Sequence, residues 1–173
     1  MGGTISCWSK VGEGTEFTVK MSYSLASDEQ ISVHSHRSET FEDQVLYGKN
    51  ILVVEDNNIN AEVIIELLNT KGMHSEWARD GQEAVEIFEA RGEYHFQAIL
   101  MDLMMPVKDG VEAAKEIRSL PMKDAEDIPI IALTADATEE ARERINTAGM
   151  NYFVSKPIDH EQLFTFLSYE FMK

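Results

Sequence analysis

From Lys49 to the last residue, five short apolar runs alternate with five stretches of helical period, and that alternation leaves few folds open. The runs "NILVVE", "HSEWA", "FQAILM", "IPIIAL" and "NYFVS" are too short for helices and are bounded by polar residues, which predicts strands. Most are apolar throughout rather than alternating, so both faces are expected to be covered. Between them, "AEVIIELLNTKG" places Val63, Ile64, Leu67 and Leu68 on one helical face and stops at Gly72. Helices are also predicted from Asp80 through Arg91, from Gly110 to Ser119, over "TEEARERINTAG" and over "DHEQLFTFLSYEF". Strand–helix repetition of this kind builds a parallel sheet with helices on both faces. The expected fold class is α/β, a five-stranded, doubly wound parallel sheet.

In the flavodoxin-like order 2-1-3-4-5, strands one and three are neighbours where the strand order reverses, and ligands bind beyond the carboxyl ends there. Glu55 and Asp56 end strand one, and Asp102 ends strand three inside "QAILMDLMMPVKDG". Strand four ends at Leu133 and Thr134, and strand five runs into Ser155, Lys156 and Pro157. One sheet edge would thus collect three acids, a hydroxyl and an ammonium. A buried, uncompensated carboxylate is costly, and three together repel. A hard divalent cation such as Mg²⁺, which accepts carboxylate oxygens, removes both problems. Asp102 kept ionised can act as a nucleophile toward phosphorus. Lys156 would balance charge on an incoming phosphoryl group and Thr134 would donate to it, which is what phosphoryl transfer chiefly requires.

Upstream the texture changes. Residues 1–23 read as two short strands joined by "KVGEG", a hairpin, and residues 24–48 as a linker touched by a short strand at "ISV". A formal net charge of −16 argues against nucleic-acid binding, which needs clustered Lys and Arg. No apolar run approaches a membrane span and no signal peptide is visible, so no membrane contact by this segment is expected. The single cysteine, Cys7, forms no internal disulfide, no Cys/His spacing suggests zinc, and a reducing, cytoplasmic setting fits. Met101, Met104 and Met105 read as packing, since thioethers suit soft metals. None of the five histidines sits in a phosphotransfer motif.

Residues 49–170 resemble a receiver domain of two-component response regulators on four ordered motifs: "VVEDNN" (53–58), "LMDLMMPVKDG" (100–110), "ALTA" (132–135) and "FVSKP" (153–157). The resemblance implies that Asp102 is the phosphoacceptor and that Glu55, Asp56, Asp102 and the main-chain carbonyl of Met104 serve a Mg²⁺ ion. It implies that Thr134 and Lys156 contact the phosphoryl group, that Ala135 leaves room for it, and that Phe153 is the switch aromatic paired with Thr134. Lys156–Pro157 resembles the family's cis peptide. Glu55 stands where many members carry Asp, which lengthens that arm. Ile65, placed by helical spacing on the outward face of the first helix, is the candidate for docking a partner.

The segment "GGTISCWSKVGEGTEFTVKMSYSL" is similar to the last hairpin of a histidine-kinase ATP-binding domain, through Gly14, Thr15, Glu16 and Phe17. Followed by a receiver, and with Asn57 and Asn60 in "EDNNIN", this implies a piece of a hybrid sensor histidine kinase, although the kinase motifs themselves are absent from this chain. The implied partners are a histidine kinase as phosphodonor and a histidine-phosphotransfer protein as acceptor. Two rivals are a pseudo-receiver that docks without being phosphorylated, and a phosphatase of the haloacid-dehalogenase type. The latter wants Asp-X-Asp after its first strand, whereas Asp102 ends the third and is followed by Leu103 and Met104.

Overall fold

The computed structural model describes residues 3–12, 14–21, 41–136 and 138–173. The chain divides into two compact units, Met1–Ser38 and Glu39–Lys173.

In the first unit, β1 (Gly3–Lys10) pairs antiparallel with β2 (Gly14–Met21). Gly12 in the turn has φ 83° and Gly14, the first residue of β2, has φ 108°, left-handed geometry that glycine adopts without strain. The register sets Ile5 opposite Val19 and Cys7 opposite Phe17, so these four side chains share one face, and all four are exposed or half-exposed. The strand expected at "ISV" lies outside the described residues.

The second unit opens with a short helix, α1 (Phe41–Leu46), inside the stretch read as linker. Leu46 is fully buried, so the compact unit starts upstream of Lys49. The alternating elements follow: β3 (Asn50–Val54), α2 (Asn58–Asn69), β4 (His74–Ala78), α3 (Gly81–Arg91), β5 (Ala98–Asp102), α4 (Gly110–Ser119), β6 (Ile130–Thr134), α5 (Glu139–Thr147), β7 (Tyr152–Ser155) and α6 (His160–Phe171). The five strands are parallel in the order β4-β3-β5-β6-β7, the expected 2-1-3-4-5 arrangement.

The period-2 alternation of the strands splits the core into two layers. Leu52, Val54, Ile99, Met101, Ile130 and Ala132 pack with Phe88, Ile117 and Ile145 of α3, α4 and α5. Ile51, Val53, Leu100, Ile131 and Leu133 pack with residues of α2 and α6, among them Ile64, Leu68 and Leu167. Helices α2 to α6 each begin on a capping side chain, Asn57, Asp80, Asp109, Thr138 and Asp159 in turn, that accepts from main-chain N–H groups of the first turn. Helix α2 buries Ala61, Ile64 and Leu68. Val63, expected on that buried face, is 61% exposed, because the sheet covers a stripe one residue wide at i, i+3 and i+7 and leaves the flank open. Among the described residues no helix is long and apolar enough to cross a membrane.

At the opposite end of the sheet from the acids, Arg118 ties α4 to the loops around β6 and β7. Its guanidinium donates to the carbonyls of Gly149 (2.9 Å), Ala125 (2.8 Å) and Ile128 (2.7 Å) and to Asn151 Oδ1 (3.1 Å). Arg118→Met keeps the aliphatic stem and strands these acceptors, so it is expected to lower stability by about 3 kcal/mol, read as a fall in the urea midpoint at unchanged m-value.

Candidate functional site: an acidic crevice bridged by a lysine

The carboxyl ends of the parallel strands bring the predicted acids together. Asp102 is the last residue of β5 and lies beside Leu133 of β6, while Glu55 and Asp56 leave β3, which pairs with β5 up to Val54 and Met101. Glu55 and Asp102 are buried, 1% and 5% exposed, and Asp56 is exposed. One carboxylate oxygen from each of the three lies within 4.8 Å of the others. Hard oxygen donors at that separation, one of them open to solvent, suit a divalent cation that keeps part of its water shell.

Lys156, in the turn after β7, reaches across the strand ends. Its Nζ donates to Glu55 Oε2 at 2.6 Å and to Asp102 Oδ2 at 2.7 Å. Burial by itself would lower the Lys156 ammonium pKa, but its hydrogen bonds to Asp102 and Glu55 and their charges prevail and hold it above the ordinary lysine value. The remaining oxygens are also held. Asp102 Oδ1 accepts from the Met104 main-chain N–H at 3.0 Å, and Glu55 Oε1 accepts from Asn60 Nδ2 at 2.9 Å. Three carboxylates against one ammonium still leave an excess of negative charge, which a dication would offset.

The other predicted positions lie on β6 and β7 and in the segments that follow β5, β6 and β7. Thr134 is buried at the end of β6, and its hydroxyl bonds the main chain of Asp136, donating to O and accepting from N at 3.0 Å each. Its main-chain carbonyl accepts from Lys156 N at 2.7 Å. Ala135 is exposed beside it. Phe153 on β7 is half-buried with the Arg142 guanidinium 5.0 Å over its ring. The Met104 side chain is 76% exposed, and Lys156–Pro157 is cis.

Ile65 does not stand where helical spacing put it. It is half-buried against the second core layer, and the exposed apolar residues of α2 are Ile59 and Val63. A groove of about 640 Å³ runs from the crevice along α2, lined by Glu55, Asn60, Val63, Leu67, Lys156 and Ile158 among others. The helical phase of α2, not its composition, decides which isoleucine or valine faces outward.

Residues 51–168 match the response regulator receiver domain family. The chain belongs to that family. Among curated relatives it is 31% identical over 163 residues to the autoinducer 2 sensor kinase/phosphatase LuxQ of Vibrio parahaemolyticus, covering 93% of this chain and 18% of that protein. It spans only 5% to 18% of the length of such kinases. The receiver domain of sensor histidine kinase PA1611 from Pseudomonas aeruginosa is 38% identical, with a TM-score of 0.65 over 73% of this chain and 99% of that one, and carries magnesium in its active-site cleft. The Saccharomyces cerevisiae Ssk1 receiver, crystallised with the histidine phosphotransfer protein Ypd1, is 29% identical with a TM-score of 0.62, covering 70% of this chain and 88% of that one. The five-stranded parallel sheet of this receiver is that of the family; the hairpin Gly3–Met21 stands outside the matched residues.

Two contributors to the crevice were not assigned a role from the sequence. Asn60 was visible only as part of a motif, and Trp77 gave no signal, because its partner is a main-chain carbonyl on a neighbouring strand.

Proposed function

We propose that this receiver is a phosphoryl relay module. Asp102 takes a phosphoryl group from the phosphohistidine of a histidine kinase, in a Mg²⁺-dependent step, and passes it to a histidine-phosphotransfer protein. The observation that carries the reading is the bridging of Glu55 and Asp102 by Lys156, with Asp56 beside them. An Asp102 carboxylate oxygen attacks phosphorus: the O–P bond forms, the P–N bond breaks, and the imidazole leaves with the electron pair and takes up a proton. Glu55, Asp56, Asp102 and the Met104 carbonyl would hold the Mg²⁺, which when bound would offset charge on the carboxylates and the phosphoryl oxygens. Lys156 turns from the carboxylates to the phosphoryl group, and Thr134 gives up its bonds to Asp136 to donate there. Phe153 moves inward behind it, so phosphorylation biases a two-state equilibrium.

The parent protein, on this reading, is a cytoplasm-facing hybrid sensor histidine kinase. Residues 1–23 are the final hairpin of its ATP-binding domain, joined by a linker to a receiver whose compact unit begins at Glu39 rather than at Lys49. Support comes from the LuxQ alignment, which is longer than the segment from Lys49 to the end. Support also comes from the exposed apolar face of the hairpin, which two strands alone do not stabilise in water.

The groove along α2 is the surface for the histidine-phosphotransfer partner, with exposed Val63 in its lining, where Ile65 is not found, and exposed Ile59 one turn earlier on the same helix. Val63→Glu is expected to slow phosphoryl transfer between this receiver and such a protein by about 10-fold, scored against labelling by a small phosphodonor, which needs no docked partner. The direct test of the whole reading is incubation with acetyl phosphate, or beryllofluoride, in Mg²⁺ and then in EDTA. Labelling in Mg²⁺ alone supports it. A chain that neither binds Mg²⁺ nor takes up the label is a pseudo-receiver, and the proposal fails.

A further inference from the structure

Two side chains outside the acid set converge on Glu55 at its two polar ends. Asn60 Nδ2 donates to the carboxylate Oε1 at 2.9 Å, and the Trp77 indole N–H donates to the main-chain carbonyl at 2.8 Å. Neither bond belongs to secondary structure. The Asn60 main-chain N–H is already capped by Asn57 Oδ1 at 3.3 Å, so its side chain reaches back past the helix start. Glu55 N pairs with Ala78 O at 3.1 Å, but β4 ends at Ala78, and the ladder supplies no next donor for the Glu55 carbonyl. The Trp77 indole fills that place and satisfies a main-chain acceptor that would otherwise be stranded at the sheet edge. Arg79 lies 5.3 Å over the Trp77 ring.

A glutamate carries one more rotatable bond than an aspartate, so it loses more conformational freedom when fixed as a ligand. Glu55 is nevertheless held at both carboxylate oxygens, by Asn60 on Oε1 and by Lys156 on Oε2. When Lys156 swings toward a phosphoryl group, Asn60 is the side chain that stays. We infer that Asn60 and Trp77 are positioning residues for the divalent-cation site: Asn60 fixes the long carboxylate arm and Trp77 fixes the main chain that carries it. This rests on the Mg²⁺ reading above. Partners that orient a ligand in this way commonly govern metal affinity nearly as strongly as the ligands themselves.

The test is Mg²⁺ affinity of the full chain by calorimetric titration, for the parent sequence, Asn60→Ala, Trp77→Phe, Glu55→Asp and the double variant Glu55→Asp/Asn60→Ala. Asn60→Ala and Trp77→Phe are each expected to weaken Mg²⁺ by about 10-fold. Asn60 is exposed, so its variant folds, and thermal midpoints without metal serve as the check. In the Glu55→Asp background the carboxylate is about 1.5 Å shorter and leaves the reach of the Asn60 amide. There, Asn60→Ala is expected to change affinity less than about 2-fold, a background dependence that a merely structural role would not produce. Unchanged affinity in Asn60→Ala, or equal losses in both backgrounds, overturns the inference while leaving the cation site standing. A parent chain that binds no Mg²⁺ overturns the site reading and this inference together.

Discussion

Asp102→Asn is expected to lose phosphoryl incorporation to background, a drop of at least roughly 10³-fold, while keeping its fold. The amide is isosteric with the carboxylate but has no anionic oxygen to attack phosphorus. It also removes one of the three negative charges in the crevice and leaves Lys156 paired with Glu55 alone. Mg²⁺ affinity should fall with it, since the donor set loses a buried anion. The measurement is intact-protein mass after acetyl phosphate in Mg²⁺, with circular dichroism confirming the fold. Label retained by Asp102→Asn at the parent level would remove Asp102 from the chemistry, and with it the relay.

Gly110→Ala should produce the largest structural effect of any small substitution near the crevice. A Cβ at this position would lie 2.1 Å from the Asp102 carbonyl oxygen, 2.9 Å from Met101 Cγ and 3.0 Å from the Asp102 carbonyl carbon. The nearest of these, the Asp102 carbonyl, is main chain of a buried central strand, which has nowhere to go. Gly110 opens α4 just after its cap Asp109, and its φ is not left-handed, so local helix propensity alone favours alanine there by up to about 1 kcal/mol. The clash outweighs that preference and reverses the sign. We expect a loss of about 3 kcal/mol and a fall in thermal midpoint of about 10 °C. Phosphoryl uptake should slow as well, because the displaced carbonyl belongs to Asp102. Gly92→Ala is the control: at φ 85° with nothing within 4 Å of its Cβ, it meets only the conformational penalty, about 1 kcal/mol. Equal effects at the two glycines would show that close approach to β5 is not what Gly110 provides.

The alternation of apolar runs and helical periods was enough to foresee the parallel sheet, and the flavodoxin-like strand order, once assumed, brings Glu55, Asp56, Asp102 and Lys156 to one edge, as the structure has them. The parallel sheet follows from local periodicity and from the geometry of parallel crossovers, both of which are written along the chain. What packing decided was orientation. The apolar residues of α2 are spaced closely enough to allow more than one buried stripe, and the sheet chose Ala61, Ile64 and Leu68, turning Val63 out and Ile65 partly in. Leu46 was hidden in a polar, aperiodic stretch, because a six-residue helix leaves no period to read. The Trp77 bond to Glu55, the turn of the Thr134 hydroxyl toward Asp136 and the approach of Gly110 to Asp102 all involve main-chain atoms. Every residue carries those atoms, so no residue type announces which carbonyl will need a donor or which backbone will need space. Sequence alone therefore determined which groups meet at the crevice, and the tertiary structure determined how they are held, because apolar patterning is encoded in side chains while final packing is settled among main-chain groups common to all.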